Sequence, residues 1–295
     1  MIQIIKASQL SEKQLGHVQS LVALCHQKDG FLSKFYWYST SNRQNDEISE
    51  FIFYKDKMCV GYLAVYQFTE NEAEICVVVH PRFRQQGVFS RLWMEACLEL
   101  HQRDVERCLF IQHPDSLSGK SCLEELGARY FRSEHRLIRQ QPIVIELPKG
   151  FSLRTATTKD IHLLARMDLA CFDGDYELMA ARLADIIGEP ERQIYIARYA
   201  DQDIGKVHVL FGHEALLHDF CVLPEFQKQG MGKLILASVT NTLLELGNPT
   251  VTLEVGSDEF QTIKLYKEVG FEAQQTYRYW LYQLGEQYQH YATVH

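Results

Sequence analysis

The chain has 295 residues, above the ~100–200 of one ordinary domain. Its composition of 46% hydrophobic, 12% aromatic and 23% charged residues excludes a disordered or fibrous chain. A formal net charge of −8, from 30 Lys+Arg against 38 Asp+Glu, excludes a global basic field for nucleic acid or anionic lipid, so no nucleic-acid or membrane partner is expected.

From the N-terminus, the opening MIQIIKASQL is too short in its apolar part for a signal peptide, and no run approaches the ~18 apolar residues of a membrane span. The eight cysteines (25, 59, 76, 97, 108, 122, 171 and 221) include no CxxC pair and mostly sit in apolar runs. They read as reduced core thiols, which points to the cytoplasm.

Further along, Val77–Leu92 (VVVHPRFRQQGVFSRL) lines up with Phe220–Ile235 (FCVLPEFQKQGMGKLI) at a shift of 143, the separation of Pro81 and Pro224. The same shift carries Val79 to Val222, Gln86 to Gln229, Gly87 to Gly230 and, far downstream, Gly127 to Gly270. Two matches in one register reveal a duplicated unit. The second copy opens beyond Leu147-Pro148-Lys149-Gly150, a natural linker, so the expected domains are 1–147 and 148–295.

Within the second copy, Phe151–Arg154 reads as a strand, and Thr158 and Asp160 start a helix carrying Ile161, Leu164 and Met167. Gln193–Tyr199 and Lys206–Phe211 alternate as strands around an expected turn at Asp201–Gly205, followed by a strand at Ala215–Leu223. A glycine loop, a helix ending at Gly247, a β-branched strand (Thr250–Val255), a helix around Ile263–Glu268 ended by Gly270, and a strand at Tyr277–Tyr282 complete the copy. The predicted fold class is α/β in the α+β sense: two tandem units, each a mixed, largely antiparallel sheet flanked by helices.

The loop between strand and helix, Gln227-Lys228-Gln229-Gly230-Met231-Gly232-Lys233, places backbone N–H groups and a helix dipole where an anion can sit. Glycine at 230 and 232 removes side chains that would hold phosphates away, although the same glycines suit a plain turn. Neither GxxxxGK[ST] nor GxGxxG occurs, which excludes the common nucleotide loops. The histidines 208, 213 and 218 are spaced by five with no matching Cys or carboxylate pattern, and no metal is expected.

Read together, VLPEFQKQGMGKLIL and TIKLYKEVGFE resemble the two signature segments of the GCN5-related N-acetyltransferase family, whose phosphate loop has the form Q/R-x-x-G-x-G/A. The resemblance implies acetyl-CoA as co-substrate, with pantetheine beside Phe220, Cys221 and Val222 and phosphates on Gln227 to Lys233. It also implies a general acid at Tyr266, the tyrosine of the second segment. Acetyl transfer to an amine further requires an oxyanion donor, for which the amide of Val222 or a near neighbour is suited, and a base. Glu254, Asp219 and His218 are the base candidates in that order, and each also reads as an ordinary strand-end polar residue. Adjacent strand residues face opposite ways, so Asp219 and His218 are not expected in one cleft. Glu259 stands where the family often has Asn.

In the first copy, Arg84, Gln85, Gln86 and Gly87 are the counterpart cofactor-binding candidates. However, Phe89 stands at the position of Gly232, Leu123 at that of Tyr266 and Ile111 at that of Glu254. The first unit thus reads as degenerate, and the acceptor as a primary amine of a small molecule or peptide. A chain that only binds and senses acyl-CoA is the competing reading, and the sequence leaves acyl length and oligomeric state open.

Overall fold

The computed structural model describes residues 1–41 and 46–284, and its elements run twice through one order. The first series is β1 (Ile2–Ala7), α1 (Glu12–Asp29), α2 (Trp37–Ser41), β2 (Glu50–Lys55), β3 (Met58–Thr69), β4 (Glu72–Val79), α3 (Val88–Gln102), β5 (Arg107–Gln112), α4 (Leu117–Leu126) and β6 (Arg129–Arg139). The second is β7 (Phe151–Thr155), α5 (Ile161–Cys171), α6 (Tyr176–Ile186), β8 (Arg192–Tyr199), β9 (Gln202–Phe211), β10 (Ala215–Val222), α7 (Met231–Glu245), β11 (Val251–Gly256), α8 (Phe260–Glu268) and β12 (Glu272–Gln283).

Local sequence explains the ends. Ser11 and Gln14 form a capping box on α1, and the helix stops at Gly30 with φ 79°. Thr157 and Asp160 form the corresponding box ahead of α5, one residue earlier than the sequence suggests. Gly127 and Gly270 end α4 and α8 with φ of 89° and 83°, as their shared register predicts. All eight cysteines are free thiols.

Among the described residues, the two packed units are Met1–Ser133 with Gln275–Leu284, and Glu134–Gln274. The expected boundary near residue 147 marks where the second copy begins in sequence, but the units part elsewhere because the copies exchange their last strands. In the first unit, Arg278–Gln283 of β12 pairs antiparallel with Arg107–Gln112 of β5. In the second, Glu134–Arg139 of β6 pairs antiparallel with Val251–Gly256 of β11.

In each unit the remaining pairings are antiparallel except one: β4 with β5 in the first and β10 with β11 in the second. Helices cover both faces. In the second unit, α7 and α8 enclose a core of Val207, Leu236, Val239, Leu253 and Phe271. On the other face, α5 and α6 bury Leu164, Met167 and Leu183 against Ile194 and Ile196. The first unit repeats this with α3 and α4 over Leu63, Ile75 and Phe110, and α1 over Tyr62 and Val78.

The hairpin expected to turn at Asp201–Gly205 turns instead at Ala200 and Asp201, with φ of 48° and 65°, and β9 begins at Gln202. Two consecutive positive-φ residues make the tight hairpin, which leaves Gly205 inside the strand. There a Cβ would meet the Cys221 carbonyl oxygen at 2.4 Å and Val222 Cα at 3.2 Å. This glycine permits close approach of β10 rather than a turn. Because backbone cannot yield as a side-chain end does, Gly205→Ala is expected to destabilise the protein by about 2 kcal/mol, read as a lowered urea midpoint at unchanged slope. An unmoved midpoint contradicts it.

Candidate active site

Within the second unit, parallel pairing of β10 with β11 covers only Ala215–Leu217 against Val251–Leu253, although both strands continue. Past Leu217 they part. On its other side β10 pairs with β9 as His218↔His208 and then Cys221↔Lys206, skipping one residue. Asp219 sits in that bulge with φ 45°. Bulges re-aim side chains beside functional sites, and this one corrects an expectation of strict alternation: His218 and Asp219 line the same cleft, with His218 Nδ1 3.4 Å from Asp219 Oδ2.

The loop after β10 is locked by its own side chains. Gln227 Nε2 donates to the Val222 carbonyl at 2.9 Å and Gln229 Nε2 to that of Glu225 at 2.7 Å, while Lys228 and Gly230 take φ of 57° and 80°. Gly230 precedes α7, which has no side-chain cap, so the first-turn N–H groups lack intrahelical partners and offer an anion site.

A cleft of about 640 Å³ joins this loop to the parting strands. Of the expected cofactor residues, Phe220, Val222, Gln227, Lys228, Gly230, Gly232 and Lys233 line it. Cys221, Gln229 and Met231 do not appear in its lining: the Cys221 thiol turns to the opposite face and packs with α5 residues, Gln229 is held by Glu225, and Met231 packs against the α7 core. All four catalytic candidates, Tyr266, Glu254, Asp219 and His218, line the same cleft. Reasoning from sequence missed Phe172, Leu217, Leu253 and Leu265 in the wall. The last three adjoin named residues; nothing marked Phe172. Glu259 also lines the cleft, and its carboxylate accepts from the Gly256 amide at 3.3 Å.

Tyr266 is 8% exposed. Burial first, and the negative charge of Glu259 second, push its hydroxyl up to about 12, so it stays protonated through neutral pH. Asp175, ahead of α6, caps that helix by accepting from the amides of Glu177 and Leu178 at 2.9 and 3.0 Å.

Behind the cleft lies a group absent from the sequence reading. Lys206 is 0% exposed and pairs with Asp168 at 2.7 Å, and its Nζ lies 2.6 Å from His208 Nε2. Burial, then the Lys206 charge, holds the His208 imidazole far below its ordinary range and neutral. Burial alone would raise the Asp219 carboxyl, yet His218, His208 and Arg182 outweigh it and lower it. Donor atoms of His208, His218 and Asp219 lie within 4.8 Å of one another, so folding supplies the carboxylate the histidine spacing lacked. The Lys206 ammonium and the Arg182 guanidinium, 3.0 Å from Asp219, oppose a divalent cation there.

The first unit keeps the loop's shape. Arg84 Nε donates to the Val79 carbonyl at 3.1 Å and Gln86 Nε2 to that of Arg82 at 2.8 Å. Gln85 and Gly87 take φ of 59° and 72°. Each matches its counterpart 143 residues on, so conformation follows the repeat. The Arg84 guanidinium, however, is engaged by Asp29 at 2.9 and 2.5 Å. β4 pairs with β3 without interruption from Ile75 to Val79, so the bulge is missing. Phe89 meets Phe110 edge-on at 6.1 Å, and Leu123 is buried in the core.

Residues 18–127 and 161–271 each match the model of the acetyltransferase (GNAT) family. The chain belongs to that family. This GNAT chain is 23% identical over 295 residues to the mycothiol acetyltransferase of Propionibacterium freudenreichii subsp. shermanii, covering 90% of this chain and 88% of that one. A GCN5-related N-acetyltransferase from Sphaerobacter thermophilus superposes with a TM-score of 0.79 at 16% identity, covering 95% of this chain and 96% of that chain. A tandem GNAT protein from the clavulanic acid biosynthesis pathway gives 0.74 at 16%, covering 97% and 99%. At these identities the structural likeness establishes the fold, a tandem of two GNAT units. No helix among the described residues is long and apolar enough to cross a membrane.

Proposed function

We propose that this GNAT chain is an acetyl-CoA-dependent N-acetyltransferase whose working site is the second unit and whose acceptor is a primary amine of a small molecule or peptide. The observation that carries this reading is one cleft holding an uncapped helix start, a parted strand pair and a buried tyrosine hydroxyl together. The loop from Gln227 to Lys233 receives the phosphates, and pantetheine runs along Phe220 and Val222 like an added strand. The acceptor nitrogen forms its bond to the thioester carbonyl carbon and gives up a proton to Glu254, Asp219 or His218. The tetrahedral oxyanion is held by the amide of Val222 or a near neighbour. As the carbon–sulfur bond breaks, Tyr266 gives its proton to the sulfur. The first unit, with Phe89, Ile111 and Leu123 in place of Gly232, Glu254 and Tyr266, is the degenerate half.

Calorimetric titration with acetyl-CoA, followed by a thiol-release screen of primary amines and short peptides, tests this. The expected results are about one equivalent bound, with weakening by phosphate competition, and turnover with at least one amine. No binding would overturn the transferase reading.

A further inference from the structure

Behind the cleft wall, five charged or titratable side chains are linked in series. Asp168 from α5 pairs with the fully buried Lys206 of β9 at 2.7 Å, and Lys206 Nζ reaches His208 Nε2 at 2.6 Å. The other nitrogen of His208, Nδ1, is buried, has no hydrogen-bond partner and points at Asp219 Oδ2 from 3.7 Å. Asp219 Oδ2 in turn faces His218 Nδ1 at 3.4 Å, and the two imidazoles stand edge-on at 5.3 Å.

An ammonium has donors only, so His208 Nε2 accepts and its ring proton sits on Nδ1, toward Asp219. That N–H faces Asp219 Oδ2 from 3.7 Å, beyond hydrogen-bond distance, and acts on the carboxylate as a dipole. On its cleft side the carboxylate draws the His218 proton to Nδ1, which leaves the lone pair on Nε2 of a side chain that lines the cleft and is 24% exposed. The bulge makes this possible, because a regular strand would turn Asp219 away from His218. The Arg182 guanidinium donates to the same Oδ2 at 3.0 Å; it is 65% exposed, so solvent screens its charge.

We propose that His218 is the base that takes the acceptor's proton, with Asp219 as its orienting carboxylate and the buried His208–Lys206–Asp168 series as the positioning residues that fix Asp219 and the tautomer. This rests on the N-acetyltransferase reading and selects one of its three base candidates. As the acceptor nitrogen bonds to the acetyl carbon, its proton passes to His218 Nε2, and the imidazolium is paired by Asp219. The groups facing His218 are Asp219 from its own strand, His208 and behind it Lys206 from β9, Arg182 from α6, and Glu254 of β11 and Tyr266 of α8, which line the same cleft.

The test is histidine-selective ¹⁵N NMR of the full chain between pH 5 and 9, assigned with His218→Gln and His208→Phe, together with thiol release from acetyl-CoA. The expected result is that His208 stays neutral with its proton on Nδ1 throughout. His218 carries the proton of its neutral form on Nδ1, and the Nε2 tautomer gains population in Asp219→Asn, because a neutral amide draws that proton less strongly than a carboxylate at 3.4 Å. His218→Gln is expected to lower amine-dependent thiol release from acetyl-CoA at least about tenfold, measured with the most active amine of the screen, and to remove the limb on which activity rises with pH. A His208 proton on Nε2, or a His218 tautomer indifferent to Asp219→Asn, overturns the proposal. So does loss of the rising limb in Glu254→Gln with retention in His218→Gln. Failure of acetyl-CoA to bind would strike the transferase reading instead, since the NMR pattern needs no cofactor.

Discussion

Replacing Tyr266 by Phe is expected to lower kcat about 10²–10³-fold while acetyl-CoA affinity stays within about twofold, because its proposed role is to protonate the sulfur as it departs, an interaction made in the transition state and not in the bound ground state. The ring is 8% exposed and packs edge-on against Phe271 at 6.1 Å, contacts that Phe reproduces. Its hydroxyl has no hydrogen-bond partner among the described residues and lines the cleft. The unfolding midpoint should therefore be unchanged, which separates loss of chemistry from loss of fold. The pH dependence carries a second sign. An acid acts while protonated, and this hydroxyl is pushed up to about 12 by burial and by Glu259, so Tyr266 contributes no descending limb at ordinary assay pH. Pre-steady-state thiol release with the most active amine measures the effect. Undiminished turnover would reduce Tyr266 to a packing residue.

The second large effect concerns the cofactor. Gly232→Phe is expected to weaken acetyl-CoA binding by about a hundredfold or more, roughly 2.7 kcal/mol. A Cβ at 232 lies 3.4 Å from Leu265 and 3.6 Å from both Phe220 and Val222, all cleft-lining residues, so a larger side chain grows into the opening. The first unit has already made this change, with Phe89 at the matching position packed against its core. Gly230→Glu should act as strongly by a different route, setting a carboxylate at the helix start and forcing a side chain into φ 80°. Gly87→Glu bears the same backbone strain, with φ 72°, but should leave the stoichiometry untouched. Calorimetry on the three variants decides: two equivalents in the wild type, one lost with Gly87→Glu, would make the first unit a cofactor site.

Much of this was legible in the residue order because it is local. The loop's shape depends on Gln227 and Gln229 reaching carbonyls five and four residues back, and on glycine at a positive-φ helix start, so a 143-residue repeat of sequence produced a repeat of conformation. Helix ends at Gly127 and Gly270 and the position of Tyr266 on α8 are local in the same sense. Gly205 was misread because a turn glycine and a close-approach glycine look alike in sequence; only the neighbouring strand, with the Cys221 oxygen 2.4 Å from where a Cβ would stand, tells them apart.

By itself the sequence determined the family, the order of the second copy's elements apart from α6, the loop between β10 and α7 and the candidate acid, since each follows from short-range patterning. Tertiary structure alone decided that β6 and β12 close each other's units, because residues 129–139 and 272–283 are each the last strand of their copy and strand pairing is set by which edge is met in space. It also decided that His218 and Asp219 share a face, because the bulge arises from the register of β10 against β9. The buried Lys206 acquires its meaning the same way, from a carboxylate and an imidazole brought to it by α5 and its own strand; in sequence it is a lysine among strand residues, and only burial makes its charge direct a proton.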